Sequence, residues 1–254
     1  MIKIRNCFPE FLKKVLWGNR SRWGLEIDYS DPCWSKWEDE KLKFYQQNQR
    51  KGIGAVVNDA GYEVMSGINL EGKRVLEIGA GDIRHHKFWN GAPKEYILAD
   101  VHDGMMQQAK AKLDSLGIPY RAIEVERNAP LDFEASSIDL ILSFYSLEHL
   151  NPLSENLLEM KRLLKPGGLL IGAIPSEGGL LWGLGRFLTS RRWLRKNTDI
   201  DPDKIICWEH PNFADEIISQ CDETFKRDSV SAWPLAFAPI LDANLVYKLI
   251  YRKE

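Results

Sequence analysis

Cysteine is scarce in this 254-residue chain, and the four present, Cys7, Cys33, Cys207 and Cys221, are scattered. No CxxC pair occurs, so the spacing suggests neither a disulfide framework nor a metal site. The thiols read as reduced, as in a cytoplasmic protein. An excess of charge of one sign is missing as well. Lys+Arg of 34 against Asp+Glu of 36 leaves a net charge of -2, which gives no electrostatic reason to expect a nucleic-acid partner. No apolar run approaches the roughly 18 residues that span a bilayer. Lys3 and Arg5 precede Cys7 without a long apolar core behind them, so the first residues do not read as a secretory signal. Internal repeats are absent. What is there, 44% hydrophobic and 28% charged residues, is material for one domain of ordinary to large size.

The most informative stretch is Lys73–Phe88, KRVLEIGAGDIRHHKF. Val75, Leu76 and Ile78 form a short apolar run expected to be a buried strand. Glu77 stands beside a turn of Gly79, Ala80 and Gly81, where a missing Cβ lets backbone approach a ligand. Strand, glycine turn and helix make the nucleotide-binding corner of a doubly wound sheet. The dinucleotide fingerprint wants a further glycine at position 84, where Arg84 stands, and this weighs against NAD.

Strands predicted at 73–78, 95–100, 120–125, 138–144 and 168–174 alternate with helical patterns, which implies a parallel sheet covered on both faces. Met106, Ala109 and Leu113 share a face of the helix after the second strand. A later helix is predicted with Asn151 as N-cap and Pro152 at its first position. Its apolar face is Leu157, Met160 and Leu164, and it stops at Lys165-Pro166-Gly167-Gly168. A helix from about Phe213 aligns Phe213, Ile217 and Cys221, with Asp215 and Glu216 favouring its N-terminal dipole. Strands near 225–232 and 244–251 lie too close for a crossover and should form an antiparallel hairpin. Residues 1–70 hold four of the nine tryptophans, Trp17, Trp23, Trp34 and Trp37, and read as a helical cap that covers the sheet edge or closes as a lid. Residues 71–254 form the main domain, with 176–210, rich in Gly, Trp and Arg, as an insertion on the substrate side.

Asp100 ends the second strand, where a carboxylate can accept hydrogen bonds from ribose hydroxyls. Dehydrogenases place an acid similarly, so Asp100 alone leaves the cofactor open. Three further stretches narrow it: Ser143-Phe-Tyr-Ser-Leu-Glu148-His149-Leu150, Arg162-Leu-Leu-Lys-Pro-Gly-Gly168 and Leu245-Val-Tyr-Lys-Leu-Ile-Tyr251. With LEIGAG they resemble the class I, type 11-like S-adenosylmethionine-dependent methyltransferases over roughly residues 70–254. The resemblance implies an α/β, Rossmann-like doubly wound seven-stranded sheet, parallel but for an antiparallel last strand. It also implies S-adenosyl-L-methionine as cofactor and S-adenosyl-L-homocysteine as product. Carried onto this sequence, it places Glu77, Gly79, Ala80 and Gly81 at the methionine end, Asp100 at the ribose and Val101 against adenine. Glu126, with Asn128 as the alternative, would meet the adenine amino group, and Ser143 and Phe144 would line the cofactor side of the fourth strand. Ile83 departs from the family, which often has glycine there, and is expected to narrow the pocket beside the methionine part.

A narrower resemblance lies in Ile174-Pro-Ser-Glu177-Gly-Gly-Leu-Leu-Trp182-Gly-Leu-Gly185 and Glu209-His210-Pro-Asn212-Phe-Ala-Asp215-Glu216. These are similar to methyltransferases found with surface-polysaccharide and sugar-modifying enzymes, and place Glu177, Trp182 and Arg186 at the substrate. Methyl transfer needs the nucleophile aligned with the methyl carbon. A hydroxyl acceptor also needs a base, for which histidine is suited near neutral pH. His149 and His210 are the leading candidates, with His85 and His86 behind them, and Glu148 could orient a histidine. No metal is expected. The reading is a cytoplasmic O-methyltransferase for a small-molecule, glycan or lipid-linked acceptor. An N-methyltransferase of an amino sugar or similar amine is the alternative. From other classes stand an NAD-binding oxidoreductase, opposed by Arg84, LEHL and LLKPGG, and a catalytically silent cofactor-binding protein. Leu180–Lys196 interleaves aromatics with Arg186, Arg191, Arg192, Arg195 and Lys196. Such a segment can lie on an anionic membrane surface, bind a phosphate, or pack as a lid with solvated arginines. Acceptor identity and oligomeric state have no spacing rule.

Overall fold

In the computed structural model, residues 4–48, 52–101, 103–125 and 130–254 are described. The N-terminal helices are α1 (Glu10–Trp17), α2 (Arg20–Trp23), α3 (Pro32–Asn48) and α4 (Gly52–Tyr62). Then β1 (Arg74–Ile78), β2 (Glu95–Asp100), α5 (Asp103–Leu116), β3 (Tyr120–Glu124), β4 (Ile138–Phe144), α6 (Leu153–Leu163) and β5 (Leu164–Pro175) follow. The insertion supplies α7 (Leu180–Leu188), α8 (Ser190–Asn197) and α9 (Pro202–Glu209); α10 (Ala214–Thr224), β6 (Lys226–Trp233) and β7 (Val246–Arg252) close the chain.

The strands form one sheet in the order β3-β2-β1-β4-β5-β7-β6. β7 runs antiparallel to both its neighbours, while the other pairs among β1–β5 are parallel. Because side chains alternate across a strand, one face of β1, β2 and β4 presents Leu76, Ile97 and Ile141 to α6 and α10. The other presents Val75, Tyr96, Leu98, Leu140 and Leu142 to α4 and α5. Met106, Ala109 and Leu113 of α5 are buried in that second layer, as their spacing predicts.

Two boundaries differ from expectation. α6 begins at Leu153, with Pro152 in its N-cap position. Pro152 is extended rather than helical (φ -77°, ψ 135°), so Asn151 falls outside the helix, and Asn156 Nδ2 donates to the Pro152 carbonyl instead (2.8 Å). At the other end α6 passes straight into β5. Leu164 is the strand's first residue, and Lys165–Gly168 lie inside β5 as an irregularity, where the register slips between Ile138↔Leu164 and Leu140↔Leu169. Gly167, at φ +77°, supplies the left-handed backbone that this slip needs.

The cap and the insertion share a third apolar core. Trp34, Trp37 and Phe44 of α3 pack with Leu194 of α8, with Ile205, Cys207 and Trp208 of α9, and with Ile200 between. Polar ties reinforce it: Trp208 Nε1 donates to the Trp23 carbonyl (3.1 Å) and Trp37 Nε1 to Glu209 Oε1 (2.6 Å). Arg5 makes two charge-assisted bonds to the buried Asp215 of α10 (2.7 and 2.9 Å). Among the described residues, no helix is long and apolar enough to cross a membrane.

Candidate active site

The carboxyl ends of β1, β2 and β4 open onto a cavity of about 600 Å³, the position where open α/β sheets bind ligands. Gly79, Gly81, Asp82 and Arg84 from the glycine turn line it, as do Asp100 and Val101 after β2, Val125 and Leu131, and Phe144, Tyr145 and Ser146 after β4. The cap closes the opposite side with Leu25, Ile27, Tyr29, Lys41 and Leu42, and His149, Trp208 and Glu209 wall one end. The cap therefore stands over the cavity.

The turn is built on left-handed backbone. Gly79 has φ +73°, and a Cβ there would lie 2.6 Å from the Ser146 Cβ, so only glycine lets the turn pass β4 this closely. Gly81, at φ +53°, has open space where its Cβ would point, which is how a turn offers bare backbone to a ligand. Ile83 also adopts the left-handed region (φ +52°), costly for a β-branched residue. Its side chain is 1% exposed and packs in the layer with Tyr96 and Leu98. It does not reach the cavity, so the expected narrowing is not found; burial holds the strained conformation instead.

Several sequence-predicted residues stand behind the wall. Glu77 is buried, and both its oxygens are taken by protein: His85 Nε2 at 2.9 Å and the Tyr96 hydroxyl. The Trp89 indole N–H donates to His85 Nδ1 (2.9 Å), so His85 must carry its proton on Nε2 and donate it to Glu77. The His85 ring also stacks on Phe144 at 4.7 Å. Glu77 and His85 thus brace the turn from beneath rather than touching a ligand. His86 is likewise spoken for, its Nδ1 on the Ile83 carbonyl (2.9 Å). Ala80 is buried in the core. Ser143 is buried and bonds Ser146 Oγ (2.6 Å), which in turn donates to the Ile78 carbonyl (2.8 Å); Ser146 lines the cavity and Ser143 does not. Glu126 and Asn128 lie outside the described residues.

At the far end a cluster of ionisable groups gathers from the fourth-strand loop and the insertion. His149 Nδ1 contacts the Glu209 backbone carbonyl and lies 3.1 Å from Glu209 Oε2. Both partners are acceptors, so Nδ1 carries the proton and Nε2, 4.0 Å from Glu148 Oε1, is the basic nitrogen. Burial depresses the imidazolium, but the Glu209 hydrogen bond and the Glu148 charge outweigh it, and the His149 pKa is raised. In return, burial opposes ionisation of Glu209, but the His149 hydrogen bond and charge together with the Trp37 hydrogen bond outweigh it and hold Glu209 well below the usual carboxylate range. Burial pushes Glu148 up to about 7. Glu148 is 1% exposed, its Oε2 has no hydrogen-bond partner, and it lies behind His149 rather than on the cavity wall.

His210 is not a cavity residue. Its ring centroid is 4.6 Å from that of His149, and its Nδ1 is 3.2 Å from Glu177 Oε2, off the line of a hydrogen bond. Burial, with the Arg186 charge adding to it, lowers His210 to about 4, so it is neutral at physiological pH. The expected substrate residues Glu177, Trp182 and Arg186 are brought together, but as a closed internal network. Glu177 is fully buried and accepts from Arg186 Nη1 (2.7 Å), from Arg186 Nη2 and from Trp182 Nε1 (2.9 Å). Burial opposes its ionisation, but Arg186, with His210 and Arg20 adding to it, prevails and the pKa falls to about 2. The physical reason for the correction is burial: Glu177 is 0% exposed, is held by Arg186 and Trp182, and does not line the cavity. Sequence reasoning missed Tyr29, Lys41, Tyr145, Trp208 and Glu209. Tyr145 lay inside the Ser143–Leu150 stretch and Trp208 and Glu209 inside the insertion, whereas Tyr29 and Lys41 carried no signal.

Comparison with known proteins agrees with this geometry. A family model described as "Methyltransferase domain" matches residues 76–172. The ubiquinone/menaquinone biosynthesis C-methyltransferase UbiE of Psychromonas ingrahamii is 36% identical over 111 residues, 42% of this chain and 43% of that protein. The UbiE of Edwardsiella ictaluri is 34% identical over 105 residues, 40% of this chain and 42% of that one. The chain thus spans less than half the length of these relatives. Among solved structures, an S-adenosylmethionine-dependent methyltransferase from Mesorhizobium loti superposes with a TM-score of 0.52 at 16% identity, over 77% of this chain and 99% of that one. Its likeness is one of fold. The glycine turn, the acid closing β2, the antiparallel β7 and the matched region lead to one assignment: residues 76–172 match the methyltransferase-domain family, and the chain has the fold of the class I S-adenosylmethionine-dependent methyltransferases.

Proposed function

We propose that the protein transfers the methyl group of S-adenosylmethionine to a hydroxyl of a small-molecule or glycan acceptor, with His149 as the general base and Glu209 orienting it. The observation that carries this reading is the continuity of one cavity from Gly81 and Asp100 at the sheet to His149 and Glu209 at the insertion. The residues present fit the cofactor. Gly81 offers bare backbone, Asp100 is a carboxylate for the ribose hydroxyls, and Val101, Val125 and Leu131 supply apolar surface for a purine. When bound, S-adenosylmethionine supplies an already activated methyl group. The chain's own work is to align the acceptor, exclude water beneath the cap and receive the acceptor's proton at His149 Nε2. The Glu209 carboxylate fixes the ring's tautomer and stabilises the imidazolium that forms, the same division of labour as in other histidine–carboxylate pairs.

The named UbiE relatives are C-methyltransferases, and a carbon acceptor made nucleophilic by loss of an adjacent hydroxyl proton would use the same base. Calorimetric titration with S-adenosylhomocysteine, and with NADH in parallel, tests the cofactor half of the reading. Binding of the first alone, weakened at least tenfold in Asp100→Ala, is the expected result. NADH binding, or unchanged affinity in the variant, would overturn it. The acceptor half is tested by following S-adenosylhomocysteine release against a panel of hydroxylated and amino acceptors. Turnover on amines alone would displace the hydroxyl reading.

A further inference from the structure

The insertion turns an apolar face outward. On α7 the positions 181, 184, 185 and 188 follow the 3.6-residue period along one side, and they read Leu181, Leu184, Gly185 and Leu188. Leu181 is 39%, Leu184 43% and Leu188 65% exposed, and Phe187 beside them 38%. The helix's inner side is conventional, with Gly183 against Leu16 and Trp17 of α1 and Arg186 on Glu177. An amphipathic helix normally turns such a stripe to the core; here the stripe faces water.

Neighbouring segments add further exposed apolar residues. α1, which packs along α7, exposes Phe11 (64%) and Val15 (39%). At the other end of α7 the Leu180 N–H donates to Asp242 Oδ1 (3.0 Å), and the loop leading into Asp242 exposes Ile240 (50%) and Phe237 (86%). Eight large apolar side chains from three segments exceed the scattered singles ordinary on a soluble surface. Basic residues flank them. α8 continues directly from α7 and exposes Arg192, Arg195 and Lys196, and Lys14 is exposed on α1. Among the described residues none of these four forms an ion pair with a carboxylate. In α8 the other arginine, Arg191, is buried and committed to Asp203 and to the Lys14 carbonyl. Three outward charges are therefore left over on that helix.

From this combination we propose that α7, with α1 and the 234–240 loop, is a docking face for an anionic phospholipid bilayer, leucines and phenylalanines entering the headgroup boundary and the α8 basic residues meeting lipid phosphates. Apolar residues on one face with unpaired arginine and lysine beside them are what an interfacial helix needs. A second copy of the chain is the weaker occupant: in a two-fold self-contact the same patch meets itself, and Arg192, Arg195 and Lys196 would face their own equivalents. The face belongs to the same insertion that walls the cavity with Trp208 and Glu209, so docking would set the cavity close to a membrane surface.

The test is vesicle sedimentation of the full chain with phosphatidylcholine liposomes and with liposomes containing phosphatidylserine. The expected result is association with the anionic vesicles, weakened by salt. The R192E/R195E/K196E variant should bind on the order of a hundredfold more weakly, and L184E/L188E should lose binding. All five positions are exposed, and unchanged melting temperature and S-adenosylhomocysteine affinity would confirm that these variants fold. No association with anionic vesicles overturns the proposal, as does equal association with neutral ones. A concentration-dependent dimer in sedimentation velocity that L184E/L188E abolishes would assign the face to a second copy instead.

Discussion

Replacing Glu177 by glutamine should unsettle the fold while sparing the cofactor site, and the structure sets the size of the effect. Glu177 is 0% exposed and takes two hydrogen bonds from Arg186 and one from Trp182. The amide keeps the shape but removes the charge and points an N–H₂ group at a guanidinium or an indole N–H. Breaking one member of a buried pair costs about 3–5 kcal/mol, because the partner charge stays buried and uncompensated. A second route gives a similar figure. Holding the carboxyl from its ordinary 4.5 down to about 2 corresponds to roughly 3 kcal/mol in favour of the ionised form, at about 1.4 kcal/mol per pKa unit. For a chain of this length that is a fall in Tm of about 10 °C. The folded-state pKa is depressed, so this stabilisation is present above pH 4.5 and lost as pH falls towards 2. The gap between wild type and Glu177→Gln should therefore be full at pH 7 and narrow through that acid window. Thermal unfolding by circular dichroism measures it, with S-adenosylhomocysteine affinity as the companion readout. The apolar double variant Glu177→Leu with Arg186→Met should be less destabilised than Glu177→Gln, since no charge is stranded. A Glu177→Gln protein within about 1 kcal/mol of wild type would refute the closed-network account and return Glu177 to the substrate.

Once an acceptor is in hand, His149→Ala should lower turnover by about 10²–10⁴-fold with S-adenosylhomocysteine affinity nearly unchanged; wild-type turnover would remove His149 as base. His149 must be unprotonated to act and its pKa is raised, so turnover should climb with pH through a limb above 6.5. Glu209→Gln removes the main cause of the rise and should move that limb to lower pH; a stationary limb would assign it to another group. Gly79→Ala places a Cβ 2.6 Å from that of Ser146 at φ +73°, a backbone penalty of roughly 1–2 kcal/mol before the clash is counted. Urea unfolding should show at least that loss, and a variant of unchanged stability would mean that the turn shifts freely. His210, neutral in the fold with its pKa near 4, is protonated first in the unfolded chain, so His210→Phe should flatten part of the stability lost between pH 6.5 and 4.

The alternation of short apolar runs with helical patterns was enough to place every strand within a few residues and to predict the hairpin that closes the sheet. Those features depend on local periodicity and on loops too short for a crossover. The sheet end of the cavity was legible for the same reason: Gly79, Gly81, Asp100 and Val101 sit at fixed offsets from strand ends, and a parallel sheet brings strand ends together. Boundaries that local signals marked less well moved by a residue or two, as at Asn151 and Leu164, where backbone conformation overrode the residue preference.

Tertiary structure decided the other half. Glu177, Trp182 and Arg186 carry the same residue chemistry whether they face a ligand or one another, and only packing shows that they bond to each other. Glu77 and Ser143 follow the same rule: a strand's alternation tells which face a side chain takes, not whether a neighbour such as Tyr96 or Ser146 reaches it first. The pairing of His149 with Glu209 joins residues sixty positions apart, and the tryptophans of α3 meet α8 and α9 across a still longer stretch of chain. Spacing within an element follows from its helical or pleated period. Contact between distant elements follows from how their apolar faces find cover, and no offset along the chain encodes that.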